Sequence, residues 1–429
     1  MVLSPGFIDV HTHDDAQVLL SPDMKAKLSQ GVTTVIVGNC GISLVPLVTA
    51  KPVAPLNLLD SGCFRFPTLN DYAHAVNEAQ PSVNVAALVG HTALRLAVME
   101  EYGRPANALE IKQMEILLRD AMANGAMGLS SGVFYQPAAA ADVQELLPLC
   151  RVVAQHAGVY VTHIRTEFED ILSAMKEAAE TADSAQVPLI YSHHKCAGPR
   201  NWGRAIETLA YIDRLSRSQP VGLDVYPYTA GSTILREDLV DDDIDILITR
   251  SEPHPEVAGE YLADIAQRWG VSSLECARRL MPGGACYFQV SEADLRRVLA
   301  HPLSMIGSDG LPHDQKPHPR LWGSFPRVLG HYSRELGLLS LETAVHKMTG
   351  LSAQRFGLRR RGVLRQGAVA DLVVFHPDRV RDCATYASPA LPSQGIEQVY
   401  LAGQLAWIDG EIVGRHGRFL SRTEQECVA

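Results

Sequence analysis

The stretch Pro5-Gly6-Phe7-Ile8-Asp9-Val10-His11-Thr12-His13 decides the architecture. It is a short apolar run that ends in two histidines one residue apart. Side chains of an extended strand alternate with a period of two, so both imidazoles project to one face and can share one ion. The same construction recurs along the chain. Counting 7–13 as the first, the runs are 31–39, 84–91, 126–132, 158–165, 188–195, 220–228 and 304–310. Between them lie stretches with apolar positions three and four apart, among them 109–124, 142–155 and 169–184, which predict amphipathic helices. Eight strands alternating with crossover helices predict an α/β fold, a closed (β/α)8 TIM-type barrel rather than an open sheet.

Two segments fall outside this alternation. The chain from about 234 to 300 is too long for a simple strand-to-helix loop and contains the helix-like stretches 259–269 and 291–300. It therefore predicts a lid-like insertion between strands seven and eight. After residue 361 the pattern changes to Gly-rich turns between short strands such as 370–375 and 398–401. The expected division is a barrel with its insertion over 1–361 and a small β appendage over 362–429.

Composition narrows the class of function. With 46% hydrophobic and 20% charged residues, the 429-residue chain has the balance of a soluble globular protein. It holds no apolar run of membrane-spanning length, and its N-terminus lacks the order of a signal peptide, which predicts a cytoplasmic protein. The net charge of −10 comes without a basic stripe. Nucleic acid and anionic membrane are therefore not expected as partners, and a small molecule is. Eight cysteines, from Cys40 to Cys427, are scattered without a CxxC pair and predict reduced thiols. The sequence carries no signal for an oligomeric state.

Barrel enzymes place their reacting groups at the C-terminal ends of the strands, and here those ends are rich in metal ligands. Strand one ends in His11 and His13, strand five in His163, strand six in His193 and strand eight in Asp309. A lone HxH is weak evidence; four such strand ends in order predict a metal site. Strand six offers both His193 and His194. Alternation puts His193 on one face with Tyr191 and Lys195, which turns the lysine inward and leaves His194 a supporting role.

This arrangement resembles the amidohydrolase superfamily, whose signature is PGFIDVHTH followed by the two later histidines and the final aspartate. Many members carry a carboxylated lysine on strand four that bridges two metals, but 126–132 here reads Ala-Met-Gly-Leu-Ser-Ser-Gly. Another anionic bridge is needed. Strand two ends in Gly38-Asn39-Cys40-Gly41, where a thiolate suits Zn²⁺. Cys40 in this turn, with Gly90-His91-Thr92, Tyr191-Ser192-His193-His194-Lys195, Tyr226-Pro227-Tyr228, Gly307-Ser308-Asp309-Gly310 and His318-Pro319-Arg320, is similar to the N-acyl-D-amino-acid deacylases, or D-aminoacylases. The resemblance implies one tightly held zinc on Cys40, His163 and His193, and a second, partly filled site on His11, His13 and Cys40. Family members also carry a longer segment ahead of the first barrel strand, which builds half of the small β domain. The strands after residue 361 are accordingly expected to expose unpaired edges, an aggregation liability.

Zinc would make hydroxide available at neutral pH and polarise the scissile carbonyl. Asp309 would take the proton from the attacking water and deliver it to the leaving amine. The substrate, an N-acyl-D-amino acid, carries an α-carboxylate, for which Lys195, Arg320 and Tyr226 are the candidate anchors. Tyr135 is a pocket wall or a hydrogen-bond donor. Arg236, leading into the insertion, is a candidate partner for an acidic D-side chain. A cyclic amidase of the dihydroorotase or hydantoinase kind shares the barrel and the histidines but normally has the strand-four lysine. A catalytically inactive scaffold relative need not keep His11, His13, His163, His193 and Asp309 together.

Overall fold

A computed structural model describes residues 1–422. Residues 423–429, the end of the expected appendage, and with them Cys427, lie outside the described residues. Eight parallel strands form one sheet in chain order: Phe7–Asp9, Val32–Val37, Asn84–Gly90, Gly128–Gly132, Val159–His163, Leu189–Tyr191, Val221–Val225 and Ser304–Ile306. Each lies inside an expected run and is shorter than it, mainly because the polar residues at the C-terminal end turn out of the ladder.

The barrel closes between strands eight and one with less than a full ladder. A single parallel bridge joins Thr12 to Gly310. Asp309 N–H donates to the His11 carbonyl at 2.8 Å, and Ser308 N–H donates to Asp9 Oδ1 at 2.8 Å. The buried Lys27 ammonium donates to Asp9 Oδ2 and to Ser308 Oγ, both at 2.8 Å. Side chains thus hold the seam from which His11, His13 and Asp309 emerge.

Alternation along the strands sorts the core into two layers. Ile8, Val10, Ile36, Leu88, Val161, Ile190 and Met305 fill the barrel interior. Val35, Val89, Leu189 and Val225 belong to the layer packed with the helices. Tyr191 belongs there too, contrary to its expected place beside His193: its hydroxyl donates to the Met175 carbonyl in helix Ile171–Ala185 at 2.7 Å. Strand six ends at Tyr191 and the backbone turns at His193, where φ is 35°, so the alternation does not carry across. Leu420, near the end of the described chain, joins the interior cluster, and Phe419 bridges to Val85.

The insertion has its own sheet, which the sequence did not predict. Gly231–Ile234 and Ile246–Ser251 flank Gly283–Tyr287 in antiparallel order. Helices Leu262–Trp269 and Ser273–Leu280 cover a separate core that includes Leu239, Ile248, Ile265 and Cys276. Helix Glu292–Ala300, expected inside the insertion, packs against helix Ala205–Leu215 and strand eight instead. It is the crossover helix between strands seven and eight.

The appendage departs from expectation at its edge. Its sheet has five strands, in the order Val2–Pro5, Leu372–Phe375, Ile396–Leu401, Gln404–Ile408, Glu411–Ile412. Val2–Pro5 runs antiparallel to Leu372–Phe375, with Val2 opposite Phe375 and Pro5 opposite Leu372, so the edge expected to be bare is paired. A four-residue strand ending in proline gives little sequence signal, yet proline is tolerated on an edge strand. Among the described residues no helix is long and apolar enough to cross a membrane, and the seven cysteines from Cys40 to Cys383 are free.

Candidate metal centre

Strand two hands the chain to a turn that only glycine permits at two points. Gly38 and Gly41 have φ of +81° and +76°, and a Cβ on Gly38 would lie 2.2 Å from the Leu88 carbonyl oxygen. Asn39 Nδ2 donates to the Ile36 carbonyl at 2.8 Å and Gly41 N–H donates to Ser130 Oγ at 2.9 Å. A Cβ on Gly132 would stand 2.1 Å from the Cys40 carbonyl oxygen. Strand four therefore supplies no ligand; Ser130 and Gly132 are the surface on which the Cys40 turn rests. This is the structural counterpart of the missing lysine.

Cys40 Sγ lies 3.2 Å from His11 Nε2 and 3.4 Å from His193 Nε2. Asp309 Oδ1 lies 3.2 Å from His13 Nε2 and 3.4 Å from His11 Nε2. His163 meets His193 edge-on with ring centroids 4.4 Å apart and stacks on Phe134 at 5.0 Å. In each of three overlapping triplets, His11–Cys40–His193, His11–His13–Asp309 and His163–Glu167–His193, one ligand atom per residue falls within 4.8 Å of the others. Cys40, His193 and Asp309 all adopt left-handed backbone, with φ of 54°, 35° and 49°. Such strain in non-glycine residues persists where the surroundings over-determine it, and it clusters at functional sites.

The residues present fit a divalent metal. Neither ring nitrogen of His163 has a hydrogen-bond partner although the ring is buried, and His13 Nδ1 is equally alone. Buried polar atoms left unpaired are costly, and a cation removes that cost. Imidazole, thiolate and carboxylate together suit zinc. The outer nitrogens are oriented by carboxylates, as in many metal sites: His11 Nδ1 lies 3.1 Å from Asp224 Oδ1, and His193 Nδ1 lies 3.0 Å from Glu167 Oε1.

Charge states follow the crowding. Burial opposes ionisation of Cys40, yet His11 and His193 beside it hold the thiol well below its ordinary range. Burial likewise opposes ionisation of Asp309, and Arg320 with His11 and His13 outweighs it, so the carboxyl stays far below its usual value. His163, desolvated and beside His193, is pushed down, which keeps its imidazole neutral.

Lys195, Tyr226, Arg320 and Tyr135 line one cavity with His163, His193 and Asp309. Arg320 is fully buried; its Nη1 lies 2.9 Å from Asp309 Oδ2 and its Nη2 donates to the Ser232 carbonyl at 3.0 Å. Its guanidinium carbon sits 4.6 Å over the Tyr226 ring, whose buried hydroxyl has no partner. Lys195 Nζ is committed to Glu167 Oε1 at 2.6 Å. The Tyr135 hydroxyl pairs with Thr233 Oγ1 at 3.0 Å. Arg236 is not part of the lining: Nη2 pairs with Asp238 at 2.6 Å and the guanidinium lies 4.4 Å over Phe134. His194 turns away and meets Thr208 at 2.9 Å.

Two residues of the site were not anticipated. Asp224 was legible, since it lies two residues before the inward-facing Tyr226 and shares its side of strand seven. Glu167 was not, because it follows strand five in an irregular loop where no periodicity applies.

Comparisons with known proteins identify the family. The Amidohydrolase family model matches residues 1–214 and 254–406. A D-aminoacylase from Alcaligenes xylosoxydans xylosoxydans is 50% identical over 99% of this chain and 88% of its own length. The structure of a D-aminoacylase with a binuclear metal centre matches with a TM-score of 0.96 at 52% identity, over 98% of this chain and 89% of that one. An N-acyl-D-glutamate deacylase from Bordetella bronchiseptica, complexed with zinc and a phosphonate mimic of the tetrahedral intermediate, matches with a TM-score of 0.94 at 47% identity, over 98% and 89%. The chain therefore belongs to the amidohydrolase superfamily and, within it, to the D-aminoacylase family.

Proposed function

We propose that the protein hydrolyses the amide of N-acyl-D-amino acids to a carboxylate and a free D-amino acid, with zinc held by Cys40, His163 and His193 and a second, weaker position formed by Cys40, His11 and His13. The observation that carries this is the Cys40 sulfur, within 3.4 Å of both His11 and His193 at the barrel mouth, where a bridging ligand is required. When bound, zinc supplies Lewis acidity and lets water ionise near neutral pH. The relatives' zinc and binuclear centres support the same assignment.

The chain's own residues divide the remaining work. Asp309 stays ionised with one oxygen toward His11 and His13 and the other toward Arg320. It takes a proton from the attacking water and passes it to the leaving nitrogen. Arg320 Nε and Tyr226 Oη make no hydrogen bond, so each presents a free donor to a substrate carboxylate, while Arg320 Nη1 is held by Asp309. Lys195 fixes Glu167 and, through it, His193. Phe134, Phe168, Leu239 and Tyr287 on the insertion side give an apolar wall for an uncharged D-side chain. A preference for acidic side chains through Arg236 requires that residue to leave Asp238.

The test is a panel of N-acetyl-D- and N-acetyl-L-amino acids given to zinc-supplemented protein. Turnover of D-leucine and D-methionine derivatives with little of the L-forms is expected. Equal hydrolysis of both configurations overturns the assignment.

A further inference from the structure

Arg320 begins helix Arg320–Arg327, and its guanidinium anchors a carboxylate only if the backbone beneath it is fixed. The fixing runs through His318, a residue of the His318-Pro319-Arg320 segment with no role in the reaction. His318 is buried, and its Nδ1 accepts the Arg320 N–H at 2.9 Å. Its Nε2 donates toward the Ala230 carbonyl at 3.0 Å and the Tyr386 hydroxyl oxygen at 3.1 Å. One nitrogen accepts and the other donates, so the ring is held as a single neutral tautomer.

Its partners come from three parts of the molecule. Ala230 leads into the insertion's first strand, whose Ser232 carbonyl also receives Arg320 Nη2. Tyr386 belongs to the excursion between Leu372–Phe375 and Ile396–Leu401 of the appendage. Its ring packs on Phe288 at 4.8 Å and edge-on to His318 at 5.0 Å. The same excursion is fastened to the Arg320 helix by Arg327 Nη1 to Asp382 at 3.1 Å and by Ser393 Oγ donating to the Trp322 carbonyl at 3.0 Å. Appendage, insertion and barrel loop therefore meet at one imidazole, two residues from the anchor.

We infer that His318 and Tyr386 are positioning residues for Arg320, so that the C-terminal appendage sets the carboxylate-recognition side of the active site. The inference rests on the proposed role of Arg320 as carboxylate anchor. Neither residue touches the reacting amide, so the effect falls first on substrate affinity, and on kcat only as far as Arg320 also shifts against Asp309.

Steady-state kinetics on the zinc-loaded full chain, with N-acetyl-D-leucine, test this. Tyr386→Phe keeps the ring packing and loses one hydrogen bond, and raises KM about threefold. His318→Asn keeps an acceptor for the Arg320 N–H but cannot reach Ala230 or Tyr386; His318→Leu keeps neither. KM rises in that order, to about tenfold, with kcat within a factor of about two and zinc content unchanged. In an Arg320→Met background Tyr386→Phe adds nothing further, as expected of residues that act through one group. A Tyr386→Phe effect of equal size in that background, or a fall in kcat without a rise in KM, overturns the inference. Unchanged KM in Arg320→Met overturns the anchor itself; a raised KM there with none in the His318 and Tyr386 variants overturns the positioning role alone.

Discussion

Two buried clusters of histidine and carboxylate lie side by side, and they are built on opposite principles. In the first, Glu145 accepts from His91 Nε2 at 2.8 Å, from Arg95 Nη1 at 2.6 Å and from Ala106 N–H at 2.8 Å. Both oxygens are used, and the helix carrying His91 and Arg95 braces the metal turn through Thr92 N–H to the Gly41 carbonyl at 3.1 Å. In the second, around Cys40, three residues sit in strained backbone and three imidazole nitrogens have no protein partner. The first cluster also leaves His91 Nδ1 and Arg95 Nε without partners, but its carboxylate is met by the chain itself. The second gathers Cys, His and carboxylate ligand atoms in triplets within 4.8 Å of one another, an arrangement suited to a cation from outside.

That contrast breaks first at Cys40. Cys40→Ala removes the sulfur that both proposed metal positions would share, so metal content and nearly all activity are expected to be lost together. Plasma emission spectroscopy of the purified variant measures this, and unchanged zinc would leave the bridge without a source. Asp309→Asn comes next. It keeps the zinc and the fold while kcat falls by about 10²–10⁴, the usual contribution of a positioned proton carrier. Retention of more than about a tenth of kcat would remove Asp309 from proton transfer. Glu167→Gln is milder: it loosens the orientation of His193, and zinc affinity falls about 10–100-fold in a competition titration against a chelator.

These effects also mark how far the sequence could be read. The eight strands were legible because apolar alternation is a local signal, and His11, His13, His163, His193 and Asp309 because each lies at or just beyond the C-terminal end of a strand. Asp224, inside strand seven, was missed although alternation puts it on the barrel side. Beyond the last hydrogen-bonded residue the rule stops: Tyr191 faces the helices while His193, two residues on, faces the metal site. Glu167 and the three-way junction at His318 are assembled by loops from distant segments, and no period in the sequence encodes such meetings. Val2–Pro5 was too short to stand out until its partner strand was seen.

The smallest effect on catalysis, and the sharpest contrast, belongs to Glu145. Burial alone would raise its carboxyl, but His91, Arg95 and the Ala106 amide lower it to about 2. A carboxyl whose folded pKa lies below its unfolded value of about 4.3 stabilises the fold above that unfolded value. The contribution is lost as pH falls from about 4.5 toward 2. The shift corresponds to roughly 3 kcal/mol, in the range expected for breaking a buried ion pair. Glu145→Gln should therefore lower Tm clearly at pH 7, and the gap between variant and wild type should narrow steadily below about pH 4.5. Any acid release of bound metal would affect both proteins and cancel in the difference. At pH 7 the variant should keep its zinc and a kcat/KM within about twofold of wild type, since the carboxylate touches no ligand of the metal centre. A constant Tm gap down to pH 3 would show that Glu145 acts by packing rather than charge. A loss of zinc would show that the two clusters, joined through Thr92 and Gly41, are one site after all.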